Sequence, residues 1–161
     1  MFKPKFEVIG MKRILIDLDV LTVAFWDRNK EALKFLDRVK KDEFEVYTPY
    51  SLLETLEKWK HIKLKQKMKN FYEIYSKKII STNEALEIIE KEKIESKKVL
   101  EDLERENIKE EDATLVLIAA ISEIDIVTFN RKHLRNKVNE INWILKKYEL
   151  NEISIFLPNE I

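Results

Sequence analysis

The chain has 161 residues and balances 30 Lys and Arg against 30 Asp and Glu, with no Cys, one Gly, three Pro and two His. The missing Cys excludes thiol nucleophiles, disulfides and thiolate zinc sites, and the single Gly excludes a glycine-rich phosphate loop or dinucleotide fingerprint. Two His argue against a His-rich metal site, and a net charge of zero argues against a chain that is basic all round, as many nucleic-acid binders are.

With 45% hydrophobic residues, the chain is expected to form one domain over residues 1–161 around a single core. No segment approaches the roughly 20 apolar residues of a membrane span. The opening MFKPKFEVIGMK lacks an apolar signal core, so the cytoplasm is the expected compartment. Residues 1–11 read as an N-terminal extension, the start being either Met1 or Met11.

Taken in chain order, residues 13–18 (Arg-Ile-Leu-Ile-Asp-Leu) are a short apolar run ending in acid, the pattern of a strand buried on both faces. Asn29 to Lys41 carries Ala32, Leu33, Phe35, Leu36 and Val39 at helical spacing. Phe44 to Tyr47 reads as a second strand. Thr48 is expected to cap a helix with Pro49 in its first turn, continuing to Lys60. Residues 61–78 read as a Lys-rich helix, and Ile79-Ile80 as a short extended piece. Ser81-Thr82-Asn83-Glu84 has the capping-box pattern and predicts one long acidic helix to about Glu106. A helix follows from Glu110 to Glu123, then a strand from Asp125 to Phe129, a helix from Lys132 to Tyr148, and a last strand from Ile153 to Leu157 before Pro158. This alternation predicts an α/β fold with a parallel sheet covered on both faces.

Parallel sheets bind ligands beyond the carboxyl ends of their strands. That rule selects Asp17 and Asp19 after the first strand, Glu54 in the helix after the second, and Thr128 and Asn130 at the end of the fourth. Asp112, in the first turn of the apolar helix, precedes its strand and is the hardest to place. Carboxylates converging in a cleft cannot all stay ionised without a cation. An all-oxygen set favours Mg²⁺ or Mn²⁺, and such a site suits hydrolysis of phosphate esters or diesters.

Ile14-Leu15-Ile16-Asp17-Leu18-Asp19-Val20-Leu21 resembles the opening motif of PIN-domain proteins, whose VapC-type members are toxin ribonucleases. Thr48-Pro49-Tyr50-Ser51-Leu52-Leu53-Glu54 resembles their second motif. Glu111-Asp112-Ala113-Thr114-Leu115-Val116-Leu117-Ile118-Ala119-Ala120 resembles the third, and Ile126-Val127-Thr128-Phe129-Asn130-Arg131-Lys132-His133-Leu134 the fourth. Ile153-Ser154-Ile155-Phe156-Leu157-Pro158 resembles the closing strand. The ordered set covers residues 11–161.

The resemblance implies a three-layer α/β/α fold on a parallel sheet of four to five strands, and a Mg²⁺- or Mn²⁺-dependent endoribonuclease, the toxin of a toxin–antitoxin pair. It implies Asp17 and Asp112 as metal ligands, Glu54 as a ligand directly or through water, and Asn130 as a residue orienting the attacking water. Asp19 and Thr128 would support these. Asp19 stands where the family often has Asn, and Asn130 where many members have Asp. The Lys58–Glu106 stretch is longer and more charged than in short toxin members. The implied partners are RNA, a small antitoxin protein and a second copy of the chain.

Charge is segregated along the chain. Glu57 to Lys78 holds eight Lys against two Glu, and Arg131 to Lys147 six bases against one Glu. Glu84 to Asp112 holds twelve acids against six bases. The two basic stretches are expected to meet RNA phosphates, with Lys58, Lys60, Arg131 and Lys132 the candidate contacts. Two alternatives stand beside the nuclease: a PIN-like binding or assembly module with a weak site, and a phosphatase of the haloacid-dehalogenase type, whose DxD start Asp17-Leu18-Asp19 also resembles.

Overall fold

The computed structural model describes residues 11–161. Five strands, β1 (Lys12–Ile16), β2 (Phe44–Pro49), β3 (Ser76–Ile80), β4 (Asp125–Val127) and β5 (Ile155–Phe156), form one sheet in the order β3-β2-β1-β4-β5. All four pairings are parallel. β1 lies at the centre, where Ile14, Leu15 and Ile16 are fully buried with helices covering both faces. The expected α/β/α architecture is therefore the one observed.

The helices are α1 (Leu18–Phe25), α2 (Lys30–Lys40), α3 (Tyr50–Glu57), α4 (Ile62–Tyr75), α5 (Thr82–Lys91), α6 (Ser96–Arg105), α7 (Glu110–Ser122) and α8 (Val138–Lys147). α1 packs on α2 and α4, and α6 packs on α7 and α8. No helix among the described residues is long and apolar enough to cross a membrane. Expectations for residues 1–10 lie outside the described residues.

Several boundaries differ from those expected. The first strand stops at Ile16, because Asp17 caps a helix, α1, that the sequence reading missed. Thr48 does not cap α3. Pro49 occupies that position without a side-chain cap, and the Thr48 hydroxyl instead bonds Ser76 Oγ at 2.6 Å across β2 and β3. α4 ends at Tyr75, so residues 76–78 belong to β3. The acidic helix starts where Ser81 predicts, with its hydroxyl accepting the Glu84 N–H at 3.1 Å. It then breaks into α5 and α6 at Lys93, whose φ is +55°.

Lys93 is one of six non-glycine residues in the left-handed region among the described residues, with Arg28, Asp42, Asn107, Glu123 and Glu149. All but Arg28 lie within two residues of a helix's last residue and help to end it, at a position where glycine has no steric cost. Glu123, at φ 57° and ψ 52°, turns the chain so sharply that β4 begins two residues later, at Asp125. α7 must therefore run back against β4, and its N-terminus lies at the carboxyl end of the sheet.

The carboxyl end of β1 is also held from the side. Tyr72, fully buried on α4, donates its hydroxyl to the Ile16 carbonyl at 2.7 Å. Replacing Tyr72 by Phe should cost about 1–3 kcal/mol by leaving that carbonyl unpaired, measured as a lower urea midpoint with unchanged slope. Glu123→Gly should stabilise by roughly 0.5–1 kcal/mol, since it removes a strained side chain; the same melts check it.

Candidate metal and nucleic-acid site

The sheet order reverses between β1 and β4, the switch point at which open parallel sheets leave a crevice. The register there pairs Ile16 with Val127, so the next residues, Asp17 and Thr128, are neighbours just past the sheet edge. The Asp17 N–H still reaches Val127 O at 2.9 Å. Its Oδ1 accepts the Leu18 N–H at 2.8 Å and its Oδ2 accepts the Thr128 hydroxyl at 2.8 Å.

Asp19, one turn position further into α1, leans over the same threonine. Its carboxylate accepts the Phe129 N–H at 3.1 and 3.2 Å and lies 3.3–3.4 Å from Thr128 Oγ1. A hydroxyl has one proton, and the shorter contact directs it to Asp17. The lone pair is used as well: the Asn130 N–H donates to Thr128 Oγ1 at 3.0 Å.

Asp112 arrives from α7, and the reversal at Glu123 explains why a residue before β4 reaches this end of the sheet. Asn130 Nδ2 donates to Asp112 Oδ2 at 3.2 Å, while Asn130 Oδ1 accepts the His133 N–H at 3.0 Å. Asn130 thus joins the loop after β4 to the first turn of α7 and also holds its own turn.

A cavity of about 330 Å³ is lined by Asp17 and Asp112, with Glu110 and Glu111, and by Ser51, Leu52 and Thr55 of α3 and Lys58 at its C-cap. Thr55 donates its hydroxyl to the Ser51 carbonyl at 3.1 Å. Ser51 Oγ is buried without a hydrogen-bond partner, the one such side-chain atom among the described residues. Ser51, Thr55 and Lys58 follow the i, i+4, i+7 spacing of one helix stripe, a signal the sequence carried but the motif reading passed over.

Glu54 is exposed and does not line the cavity. Leu52 and Leu56 turn α3 toward the core, and Glu54, two residues from each, lies about 200° round the helix from both. It stands on the solvent side of the cavity wall. Among the described residues, no three His, Asp or Glu side chains are grouped to hold a metal ion together.

The acids carry the cost of crowding. Burial is the main reason that Asp17 is raised from its ordinary 3.8 to about 6, with the Asp112 charge adding and the Thr128 hydrogen bond opposing. Asp19 is raised to about 7 by burial and then by the Asp17 charge. Asp112 is raised by burial, then by Asp19 and Glu111. Tyr72 is held well above the ordinary phenol value by burial and by Asp17 and Asp19, so it remains a donor.

The surrounding bases divide into paired and unpaired. Lys69 pairs with Glu57, Lys77 with Glu45 and Lys78 with Glu84. Arg135 pairs with Glu160 and Lys147 with Asp102, so two of the six bases between Arg131 and Lys147 are neutralised locally. Arg131 and Lys132 are exposed and, like Lys58 and Lys60, make no ion pair with a described residue.

No family model and no curated protein matches the chain significantly. Solved structures share its fold, among them the following two. VapBC2 from Rickettsia felis, bound to a DNA fragment from its promoter, superposes with a TM-score of 0.57 at 12% identity, over 90% of this chain and 98% of that one. FitAcB from Neisseria gonorrhoeae gives 0.55 at 12% identity, over 92% and 99%. At that identity the likeness is one of fold, and the fold is PIN-like.

Raised acid pKa values mean that the folded state holds these protons more tightly than the unfolded chain does. Their contribution to stability is therefore fully present below about pH 4 and is lost as pH rises through 6 to 7. In chelator, Asp19→Asn should raise the melting temperature at pH 8 by roughly 2–6 °C and leave it nearly unchanged at pH 4; melts across that range check both.

Proposed function

We propose that the chain is a divalent-metal-dependent ribonuclease of the PIN type and the toxin member of a pair with a small antitoxin protein. The observation that carries this reading is the gathering of Asp17, Asp19 and Asp112 at the β1/β4 switch point, bound into one network by Thr128 and Asn130. The sequence motifs that resemble the PIN family supply those same residues. Two solved complexes that share the fold, VapBC2 with its promoter fragment and FitAcB, support an antitoxin partner.

The donor set fits Mg²⁺ or Mn²⁺. It is all oxygen, it is crowded enough to hold protons that a cation would displace, and it lacks the tight three-acid cage of a dedicated protein site. Mg²⁺ commonly keeps several waters and takes only one or two carboxylates, here Asp17 and Asp112. When bound, such an ion supplies charge for the phosphoryl oxygens and lowers the pKa of an attacking water.

The remaining work belongs to the chain. Thr128 fixes the Asp17 carboxylate by donating to Oδ2, leaving that oxygen one further lone pair for a cation. Asn130 fixes Asp112 in the same way, by donating to its Oδ2, and would orient a water near that carboxylate. Asp19, held by the Phe129 N–H, adds negative charge beneath the pair. Lys58, which lines the same cavity, would meet a backbone phosphate and direct the scissile bond toward the acids. Glu54, on the outer wall, would act on a water rather than touch the ion.

A binding or assembly module is the second reading, and Glu54's exposure favours it. Titration of the full chain with Mn²⁺ separates the two, since a module with a weak site would take up no Mn²⁺ at about millimolar concentration. With RNA and Mn²⁺, the nuclease reading expects Asp17→Asn and Asp112→Asn each to lower cleavage by at least ~100-fold, and excess chelator to abolish it. Cleavage that survives both variants and chelator rejects the reading.

A further inference from the structure

We propose that Trp26 and His61 form a stacking platform for an unpaired nucleotide of single-stranded RNA beside the carboxylate cavity; this rests on the ribonuclease reading and extends it to substrate form. Trp26 closes α1, where its N–H donates to Thr22 O. It is 59% exposed, while most of the chain's large apolar side chains are buried. Its ring is nonetheless held, because it packs in a T-shaped pair with His61, 4.7 Å between centroids and 87° between planes. His61 is fixed in turn: its Nδ1 accepts the Leu64 N–H at 3.0 Å as the cap of α4. An exposed indole face held in place loses little freedom when a base stacks on it.

The position links the pair to the cavity. Lys58 lines the cavity, and His61 follows three residues later, so the His61 backbone lies within about 11 Å of that of Lys58, with the Trp26 ring packed on His61. Between and beyond them, Lys58, Lys60 and Lys63 are exposed and make no ion pair with a described residue. Lys67 places its ammonium over Phe25, 5.1 Å from the ring centroid.

Charge complementarity selects the occupant. Exposed aromatic rings interleaved with unpaired cations are the combination that binds single-stranded nucleic acid, the lysines meeting phosphates and the ring meeting a base. A protein-docking face would need a broader apolar patch, whereas here Trp26 and Ile62, 74% exposed, stand among lysines. A paired base cannot reach the ring, because its faces are covered within the duplex.

The test uses the full chain in chelator, a labelled oligouridylate of about 12 nucleotides and an RNA duplex of the same length. The single strand should bind more tightly than the duplex and quench tryptophan fluorescence. Trp26→Ala should weaken it by about tenfold, Trp26→Phe should keep affinity within about threefold while losing most of the quench, and Lys60→Gln with Lys63→Gln should flatten the salt dependence. Unchanged affinity in a folded Trp26→Ala protein, equal binding of duplex, or no RNA binding overturns the proposal, the first of these pointing to a protein partner for this face. Binding with this Trp26 dependence but no cleavage in Mn²⁺ keeps the platform and rejects the nuclease reading; cleavage with Trp26→Ala affinity unchanged does the reverse.

Discussion

The hydrogen bond from Thr128 to Asp17 is the contact on which the candidate site depends. It exists because β1 and β4 are adjacent and in a register that carries Ile16 opposite Val127. One residue past that pair the strands end, the backbone ladder gives way to side chains, and a carboxylate meets a hydroxyl. A shift of one residue in either strand would turn an aliphatic side chain into that place. Sheet register is in this sense the first determinant of the chemistry, and the apolar run of β1 fixes it by demanding burial on both faces.

Around that contact the fold assembles opposite charges without letting them cancel. The acids lie at the crevice, desolvated and raised in pKa, while Lys58 lines the same cavity as Asp17 and Asp112. Elsewhere the chain pairs its charges closely, as where Asp102 accepts Arg105, Lys147 and the Tyr148 hydroxyl together. The zero net charge thus conceals two regimes, a neutralised surface over α6 and α8 and an unneutralised one between the acids and the start of α4.

Much of this could be read from residues alone. The run ending at Asp17 identified the central strand, because a continuous apolar stretch that short has few other homes. The parallel α/β sheet followed from the alternation of elements. Three features were beyond reach for physical reasons. The side on which Asp112 lies depends on the reversal at Glu123, and nothing in a glutamate announces left-handed backbone. The break at Lys93 is equally silent, so two helices looked like one. The face of α3 depends on how Leu52 and Leu56 seat in the core, and that choice brings Ser51, Thr55 and Lys58, rather than Glu54, to the cavity wall. Thr48 misled for a related reason: its hydroxyl had a better partner across the sheet, in Ser76.

The left-handed helix ends among the described residues have a consequence for the chain when it is not folded. A glycine at each would relieve strain in the native backbone but would widen the conformational freedom of the denatured chain. A sequence with one glycine in 161 residues begins folding from a narrower ensemble and loses less entropy on the way. Because that entropic difference is multiplied by temperature, while steric strain is largely an enthalpy, the exchange becomes more favourable as the surroundings grow hotter.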